Sequence, residues 1–169
     1  SATCSVNTTQ ISLGAKLFCR APSNFDQSNV QLTVIQNNAS PSASFRAGSK
    51  ARETVTITKE GIIQNLKTKL QEDMEYIICI KAPKSLRLCS NKFTAVTGNN
   101  IIQNFNLPVG DVNDDDHINS PDASICKAEW GPGKAGNKRC EFNRDNNTNS
   151  FEWSCLLHDF NSSSQQEPI

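Results

Sequence analysis

The sequence has no long apolar run, no excess of charge of either sign, and few side chains suited to catalysis. Its 17 basic and 17 acidic residues give a formal net charge of zero at pH 7, so no overall field draws it to nucleic acid or to an anionic membrane. No stretch approaches the roughly 20 apolar residues that a membrane-spanning helix requires. These absences predict a chain with no nucleic-acid partner and no membrane span.

Enzyme signatures are absent as well. The chain has two histidines and no Gly-x-Ser-x-Gly, His-Glu-x-x-His or phosphate-binding motif. Paired carboxylates serve glycosidases, but the acidic residues here cluster in two loops, where metal ligation is the simpler interpretation. We therefore expect a protein without catalytic activity.

Seven cysteines in a chain of 169 residues are typical of an oxidising compartment, where disulfides stabilise small cores. The expected location is therefore extracellular. Four Asn-x-Ser/Thr sites are compatible with it: Asn7, Asn38, Asn146 and Asn161. The odd number leaves at least one cysteine free or bonded to another chain.

Three cysteine pairs are candidates for disulfides: Cys4 with Cys19, Cys79 with Cys89, and Cys126 with Cys140. The last pair is favoured because it would close a short loop and fix the two segments on either side of it. A competing interpretation is a zinc site formed by Cys126, Cys140, Cys155 and His158, since Cys155 and His158 have ligand spacing. An oxidising compartment favours the disulfides.

The first hundred or so residues consist of short segments rich in Val, Ile, Thr and Phe, separated by Asn, Ser, Gly and Pro. Their regular spacing is typical of a sandwich of antiparallel strands, and we predict about seven strands. The candidates are Ile11 to Cys19, Val30 to Gln36, Ala43 to Ala47, Glu53 to Thr58, Gly61 to Leu70, Tyr76 to Lys81, Asn91 to Val96 and Asn100 to Asn106. Phe45, Phe93 and Phe105 are expected in its core.

The composition changes after Gly110 to dense Asp and Asn with two Trp residues. Hydrophobic residues make up 36% of the chain, which favours two modest cores over one large one. We predict a β-sandwich over residues 1–108, a small α-helical module over 109–160, and a mobile tail from Asn161 to Ile169. The predicted helices run from Pro121 to Trp130 and from Phe151 to Phe160.

Loop 1, from Asp111 to Asp122, has the spacing of an EF-hand loop. Oxygen ligands at the first, third, fifth, seventh, ninth and twelfth positions let one short loop surround a hard cation such as Ca²⁺. The predicted ligands are Asp111, Asn113, Asp115, His117, Asn119 and Asp122, with His117 offering its backbone carbonyl. Asp116 takes the sixth position, where φ is positive and Gly is usual, and Asp tolerates that conformation.

Loop 2, from Glu141 to Glu152, repeats the pattern. Its predicted ligands are Glu141, Asn143, Asp145, Asn147, Asn149 and Glu152. Asn146 takes the sixth position, and Thr148 corresponds to Ile118 of loop 1, which predicts that these two residues pair across the loops. We expect loop 2 to bind calcium less tightly, because Glu141 is longer than Asp and Arg144 adds a cation.

The segments GDVNDDDHINSPDASI and FNRDNNTNSFEWSCLLHDF resemble the duplicated calcium-loop and helix segments of dockerins. The resemblance covers Val109 to Phe160 and implies a calcium cofactor, folding around calcium, and a cohesin-like protein partner. The segments from Tyr76 to Leu86 and from Phe105 to Pro108 resemble β-sandwich repeats of the Cna-B or carboxypeptidase-regulatory type. Such repeats occur in bacterial and archaeal surface proteins, and they imply a structural role at the cell surface.

Two functions follow. The first is a non-catalytic extracellular structural protein whose sandwich and calcium-loaded module mediate chain-to-chain assembly, as in a filament or a surface layer. The second is a dockerin adaptor that binds a separate cohesin while its sandwich binds a carbohydrate or another cell-surface ligand. Trp130 and Trp153 are expected to be core or interface residues rather than sugar-stacking residues.

Overall fold

The computed structural model describes residues 9–19, 26–37, 50–133 and 138–168. They form a mainly β structure with two short helices, α1 (Ser120–Ala128) and α2 (Ser150–His158). The strands are β1 (Thr9–Leu17), β2 (Gln27–Gln36), β3 (Lys50–Ile57), β4 (Ile63–Gln64), β5 (Glu75–Lys81), β6 (Leu88–Cys89), β7 (Phe93–Thr94), β8 (Gly98–Leu107), β9 (Gly131–Pro132) and β10 (Asn147–Thr148). Neither helix has the length and apolar character needed to cross a membrane.

An antiparallel six-stranded sheet supplies most of the main core. Its path runs β4-β3-β2-β5-β6, and β7 also pairs with β5. The register places Leu32 opposite Ile80 and Val34 opposite Ile78, and none of these four side chains is more than 3% exposed. Alternation along each strand brings these apolar groups to one face, where cross-strand pairs stabilise the sheet.

Strands β1 and β8 form a separate pair, and they run parallel. Leu13 on β1 and Phe105 on β8 belong to the same buried cluster as the inner side chains of the larger sheet. The two sheets therefore share one core, with Phe105 inside it as predicted. The prediction of antiparallel strands is wrong for β1 and β8, because these strands come from opposite ends of the β region and are joined by a long crossover.

Five predicted strands, corresponding to β1, β2, β3, β5 and β8, occur close to their predicted positions. The predicted strand from Gly61 to Leu70 is wrong, since its one ladder segment is the two-residue β4. The predicted strand from Asn91 to Val96 is shorter, as β7. The prediction for Ala43 to Ala47, with Phe45, lies outside the described residues. Strand β6 was not predicted.

Both predicted helices are present, and they enclose a second buried cluster. Its members are Leu86, Val112, Ile118, Cys126, Cys140 and Leu156. The expectation of two modest cores is therefore confirmed. Leu86 lies in the turn between β5 and β6, so the sheet contributes a side chain to the second core. The domain boundaries at residues 108 and 160 stay a prediction.

Three disulfides connect the described residues: Cys19–Cys155, Cys79–Cys89 and Cys126–Cys140. The second and third confirm two predicted pairs. The pairing of Cys4 with Cys19 is wrong, because Cys19 bonds Cys155 across the two cores. The zinc alternative is wrong as well, since all three of its thiols are consumed by disulfides. Cys4 lies outside the described residues.

The C-terminal tail lies against the rest of the chain. The Ser164 N–H donates to the carbonyl of Asp116 (2.8 Å), and the Gln165 N–H donates to the carbonyl of Arg87 (3.0 Å). The mobility predicted for residues 161–169 stays a prediction, and these contacts show where the described part of the tail lies. The sequence gives no sign of these contacts, because the partners lie far away along the chain.

Candidate metal centre

The two predicted metal loops share one backbone geometry. Loop 1 has φ angles of 62° at Asp114 and 66° at Asp116, and loop 2 has 62° at Arg144 and 60° at Asn146. These are the fourth and sixth positions of each loop. The positive φ expected at Asp116 and Asn146 is confirmed, and the same two left-handed residues recur in phase.

Each loop runs directly into a helix whose first turn carries the acidic residue of the twelfth position. Asp122 and Glu152 are both 0% exposed. Asp122 Oδ2 accepts the N–H of Asn119 (3.0 Å), and Glu152 Oε2 accepts the N–H of Asn149 (3.0 Å). Asp122 Oδ1 also accepts the N–H of Val112 (2.8 Å). A carboxylate at a helix N-terminus is stabilised by these amides and by the helix dipole, so each acid is fixed against its loop.

The two other acids at predicted ligand positions of loop 1, Asp111 and Asp115, accept N–H groups of the loop itself. Asp111 Oδ1 accepts the N–H of Asp115 (3.0 Å), and Asp115 Oδ1 accepts the N–H of His117 (3.0 Å). The His117 ring bonds Ser163 Oγ through Nδ1 (2.7 Å). The ring is thus engaged by the tail, outside the loop.

Loop 2 brings three carboxylates together. Oxygens of Glu141, Asp145 and Glu152 lie within 4.8 Å of one another, and no other group of three acidic, histidine or cysteine side chains in the described residues does so. The Asp145 N–H donates to Glu141 Oε1 (3.1 Å), and Asp145 Oδ1 accepts the N–H of Asn147 (2.7 Å). Burial raises the pKa of Glu152. Carboxylates this close repel one another unless a cation lies among them.

Three loop oxygens are buried without a hydrogen-bond partner in the structure: Asn119 Oδ1 in loop 1, and Asn147 Oδ1 and Glu152 Oε1 in loop 2. Outside the loops, Asp159 Oδ2 is the one further such oxygen among the described residues. An unsatisfied buried polar group costs about 1–3 kcal/mol. The three loop oxygens belong to residues at predicted ligand positions, so a bound hard cation would offset this cost.

A lysine of the sheet contacts one side of loop 1. Lys81, the last residue of β5, places Nζ 3.2 Å from Asp111 Oδ2, 2.8 Å from Asp114 Oδ1 and 2.7 Å from Asp116 Oδ1. Burial lowers the pKa of Lys81, but the hydrogen bonds to the three carboxylates outweigh burial and raise the pKa to about 12. Asp114 and Asp116 occupy non-ligand positions, so the ammonium neutralises the outer side of the loop. Lys81 could not be identified from the sequence, because no local pattern connects it to a loop 30 residues later.

Lys84 makes the corresponding contact with loop 2. Its Nζ donates to the carbonyls of Glu141 (2.8 Å) and Lys138 (3.3 Å). Burial lowers the pKa of Lys84, and the nearby carboxylates of Glu141 and Glu129 oppose the shift. Lys81 ends β5 and Lys84 lies in the turn that follows, so one turn of the sheet contacts both loops.

The two loops do not pair with each other through Ile118 and Thr148. Thr148 pairs with Gly131 in β9. Ile118 donates its N–H to the carbonyl of Ser162 (2.9 Å) and accepts the N–H of Asn161 (2.7 Å). The predicted pairing of Ile118 with Thr148 is therefore wrong: each loop pairs with the segment that follows the helix of the other loop.

Trp153 belongs to α2, and Trp130 lies just beyond the end of α1. Their ring centroids are 6.3 Å apart in an edge-to-face arrangement. Trp153 packs against the second core, as predicted. Trp130 is 55% exposed and is not part of a core, because it lies beyond the end of α1.

We expect Lys81→Met to lower the free energy of unfolding by about 2 kcal/mol in calcium-free buffer, because it leaves the buried Asp111 without its cation. Chemical denaturation followed by circular dichroism measures the change. Lys92→Met is the matched control, since Lys92 is 49% exposed and pairs with the partly exposed Glu75, and it should change stability by less than about 0.5 kcal/mol. Equal losses in the two variants would contradict the assigned role of Lys81.

Comparison with known proteins shows the fold and no family. No family model matches the chain, and no curated protein does. The chain is similar to a chain in the crystal structure of an interface mutant of a type II cohesin–X-dockerin complex from Acetivibrio cellulolyticus. The TM-score is 0.57 with 16% sequence identity, over 92% of this chain and 97% of the other. The likeness therefore covers the β structure and the helical part together.

Proposed function

We propose that the chain is a non-catalytic, extracellular calcium-binding protein that associates with other copies of itself through a β-sandwich and a dockerin-like module. The observation that carries the proposal is the convergence of Glu141, Asp145 and Glu152 beside two buried oxygens that lack partners. Clustered carboxylate and amide oxygens favour a hard divalent cation, and Ca²⁺ takes six to eight such ligands.

The fit of calcium rests on both loops. In loop 1 the ligands would be Asp111, Asn113, Asp115, the His117 carbonyl, Asn119 and Asp122. In loop 2 they would be Glu141, Asn143, Asp145, Asn147, Asn149 and Glu152. Calcium supplies the positive charge that neutralises the clustered acids when it is bound. The two left-handed residues and the buried helix-start acid fix each loop around that position.

Calcium in this proposal holds an interaction surface in shape. The loops contact the sheet through Lys81 and Lys84 and contact the tail through Ile118. A change in loop conformation therefore reaches the sheet and the tail together. The three disulfides support an extracellular location, since such bonds persist in oxidising compartments.

Sedimentation velocity with calcium and then with a chelator tests the proposal. We expect species larger than a monomer in calcium and a shift to monomers when the ion is removed, because the loops then lose the charge that orders them. Addition of excess calcium should restore the larger species. A protein that sediments as a monomer in both buffers, over the accessible concentration range, would contradict self-association.

A cohesin-like partner is the second candidate, and the fold likeness to a chain of a cohesin–X-dockerin complex favours it. In this case the chain would bind a separate cohesin in calcium while the β part binds a cell-surface glycan or protein. A pull-down with immobilised cohesin modules, together with a glycan array, distinguishes the candidates. Binding to a cohesin by a chain that stays monomeric would favour this second function.

A further inference from the structure

The C-terminal tail covers the open edge of the larger sheet. Strand β6 is the last strand on the path of that sheet, and its inner side pairs with β5. On its outer side, the Gln165 N–H donates to the carbonyl of Arg87 (3.0 Å). Ser164 Oγ accepts the Arg87 N–H (2.9 Å), and Gln165 Oε1 accepts the Cys89 N–H (2.6 Å). The tail thus satisfies an edge that would otherwise present unpaired backbone groups.

Beyond this edge, the side-chain carboxylate of Glu167 is held by three cations. Glu167 Oε2 lies 3.1 Å from Lys50 Nζ and 3.0 Å from an Arg52 guanidinium nitrogen, and Oε1 lies 3.9 Å from Arg87 Nε. Thr33 Oγ1 donates to Oε1 (3.1 Å). Lys50, Arg52 and Arg87 together form a group of cationic side chains that receives this carboxylate, and we name this group the cation receptor. Burial works to raise the pKa of Glu167, but Arg52, Lys50 and Thr33 outweigh it and hold the pKa below its usual value.

The receptor contacts are separable from the contacts that anchor the start of the tail. Asn161, Ser162 and Ser164 bond to the backbone of loop 1, and these bonds do not involve the receptor. The residues after Ser164 contact the sheet through polar groups. Because Gln165 and Gln166 are exposed and Pro168 is only partly buried, lifting residues 165–168 from the sheet costs little hydrophobic free energy.

The receptor has more charge than its occupant. Three cations face the single carboxylate of Glu167, and Arg52 stays 69% exposed with that carboxylate in place. When residues 165–168 lift away, the receptor loses the carboxylate of Glu167, and the Arg87 carbonyl and the Cys89 N–H at the outer edge of β6 lose their partners in Gln165. Residues 165–168 of another molecule offer the same backbone donor and side-chain acceptor of Gln165 and the same carboxylate of Glu167. Exchange therefore conserves the contacts of Gln165 and Glu167, and protein concentration decides between the two arrangements.

We propose that the cation receptor and the edge of β6 bind residues 165–168 of a second copy of this chain. This inference rests on the proposed self-association and names the surface that carries it. If each copy donates its tail to the next, the contact is heterologous and the series of molecules stays open. Calcium would influence this contact through loop 1, because the backbone of loop 1 bonds to Asn161, Ser162 and Ser164 at the start of the tail.

Two charge-reversal variants test the exchange. The receptor variant is Lys50→Glu/Arg52→Glu, and the tail variant is Glu167→Arg. In each variant alone, the receptor and residue 167 carry charge of the same sign, so they repel each other both within one molecule and between copies. When the two variants are mixed in equal amounts, the unchanged tail of the receptor variant is complementary to the unchanged receptor of the tail variant. The reversed tail and the reversed receptor are complementary to each other as well.

Sedimentation velocity in calcium, at equal total protein, gives the outcome. We expect each variant alone to lose association by roughly fivefold or more, which corresponds to about 1 kcal/mol, and the mixture to recover it. Lys16→Glu/Lys127→Glu is the charge-matched control, since both side chains are exposed and the change leaves the receptor intact. It should associate like the unmodified chain. Melting curves of all variants confirm that each is folded.

Every other outcome overturns the inference. If the single variants associate as well as the unmodified chain, the receptor does not carry the contact, and the proposed function stands. If both variants lose association and mixing does not recover it, the tail acts within its own chain, and the proposed function again stands. If the unmodified chain is monomeric in calcium, the proposed self-association and the tail exchange fail together.

Discussion

Replacement of both cysteines of the Cys19–Cys155 disulfide by serine is expected to destabilise the protein by about 4–5 kcal/mol. The bond spans 136 residues, so it removes more conformational entropy from the unfolded chain than either of the other two. It also joins the end of β1 to α2, and with it the main core to the second core. Denaturant unfolding of the oxidised protein measures the loss.

The matched control is the double serine variant of Cys79 and Cys89. These residues are separated by 10 positions, and the chain-entropy model gives a loss of about 3 kcal/mol. The Cys19→Ser/Cys155→Ser variant should therefore be the less stable of the two. Its second core should also unfold at lower denaturant concentration than its sheet. A loss no larger than that of the control would contradict the view that this bond secures the two cores.

Calcium is expected to stabilise the chain by about 3 kcal/mol for each filled loop at 1 mM free ion, if the sites have dissociation constants near 10 μM. Thermal unfolding with calcium and with a chelator measures this difference. Glu152→Gln should remove most of the contribution of loop 2, because it replaces a buried ligand carboxylate with a neutral amide. Its calcium affinity at that site should fall by about tenfold or more, which is at least 1.4 kcal/mol.

The control for this substitution is Glu60→Gln, because Glu60 is exposed and pairs with Lys59 at 3.8 Å on the surface. It should keep both the calcium affinity and the calcium-dependent stability of the unmodified chain. If Glu152→Gln binds calcium as tightly as Glu60→Gln does, loop 2 is not a calcium site. A loss of affinity confined to loop 1 would contradict the assignment in the same way.

The parts of the structure that could be predicted from the sequence are local. Each helix begins directly after a loop whose ninth and twelfth residues form the hydrogen bonds at the helix start. Asn149 and Glu152 therefore predict the start of α2 to within a few residues. The Cys126–Cys140 pair closes over 14 positions, and the left-handed Asp116 and Asn146 follow from the spacing of the ligands. Each of these features depends on neighbours along the chain.

The features that escaped prediction depend on contacts between distant segments. The Cys19–Cys155 bond, the parallel pairing of β1 with β8 and the contact of Lys81 with loop 1 all join residues that are brought together by the fold alone. Glu167 gave no signal either, because an isolated acid near the end of a polar segment is usually solvated. Its three cations come from β3 and from the turn before β6, which no local pattern relates to the tail.

A comparison of the two loops also alters the expected order of the metal sites. The sequence predicts tighter calcium binding by loop 1, which contains five aspartates. In the structure, Lys81 neutralises part of that charge, whereas the acids of loop 2 converge within 4.8 Å and leave an oxygen of Glu152 unpartnered. The longer Glu side chain at the twelfth position reaches the centre of its loop, whereas both oxygens of Asp122 accept backbone N–H groups. We therefore expect loop 2 to bind at least as tightly as loop 1.

The most direct test of calcium binding is an isothermal titration of the unmodified, oxidised chain after chelator treatment and dialysis. We expect saturable binding of two calcium ions per chain, with a rise in melting temperature that follows the same concentration range. A flat titration up to millimolar calcium, with no change in melting temperature, would contradict the assignment of both loops and the calcium-dependent association built on them.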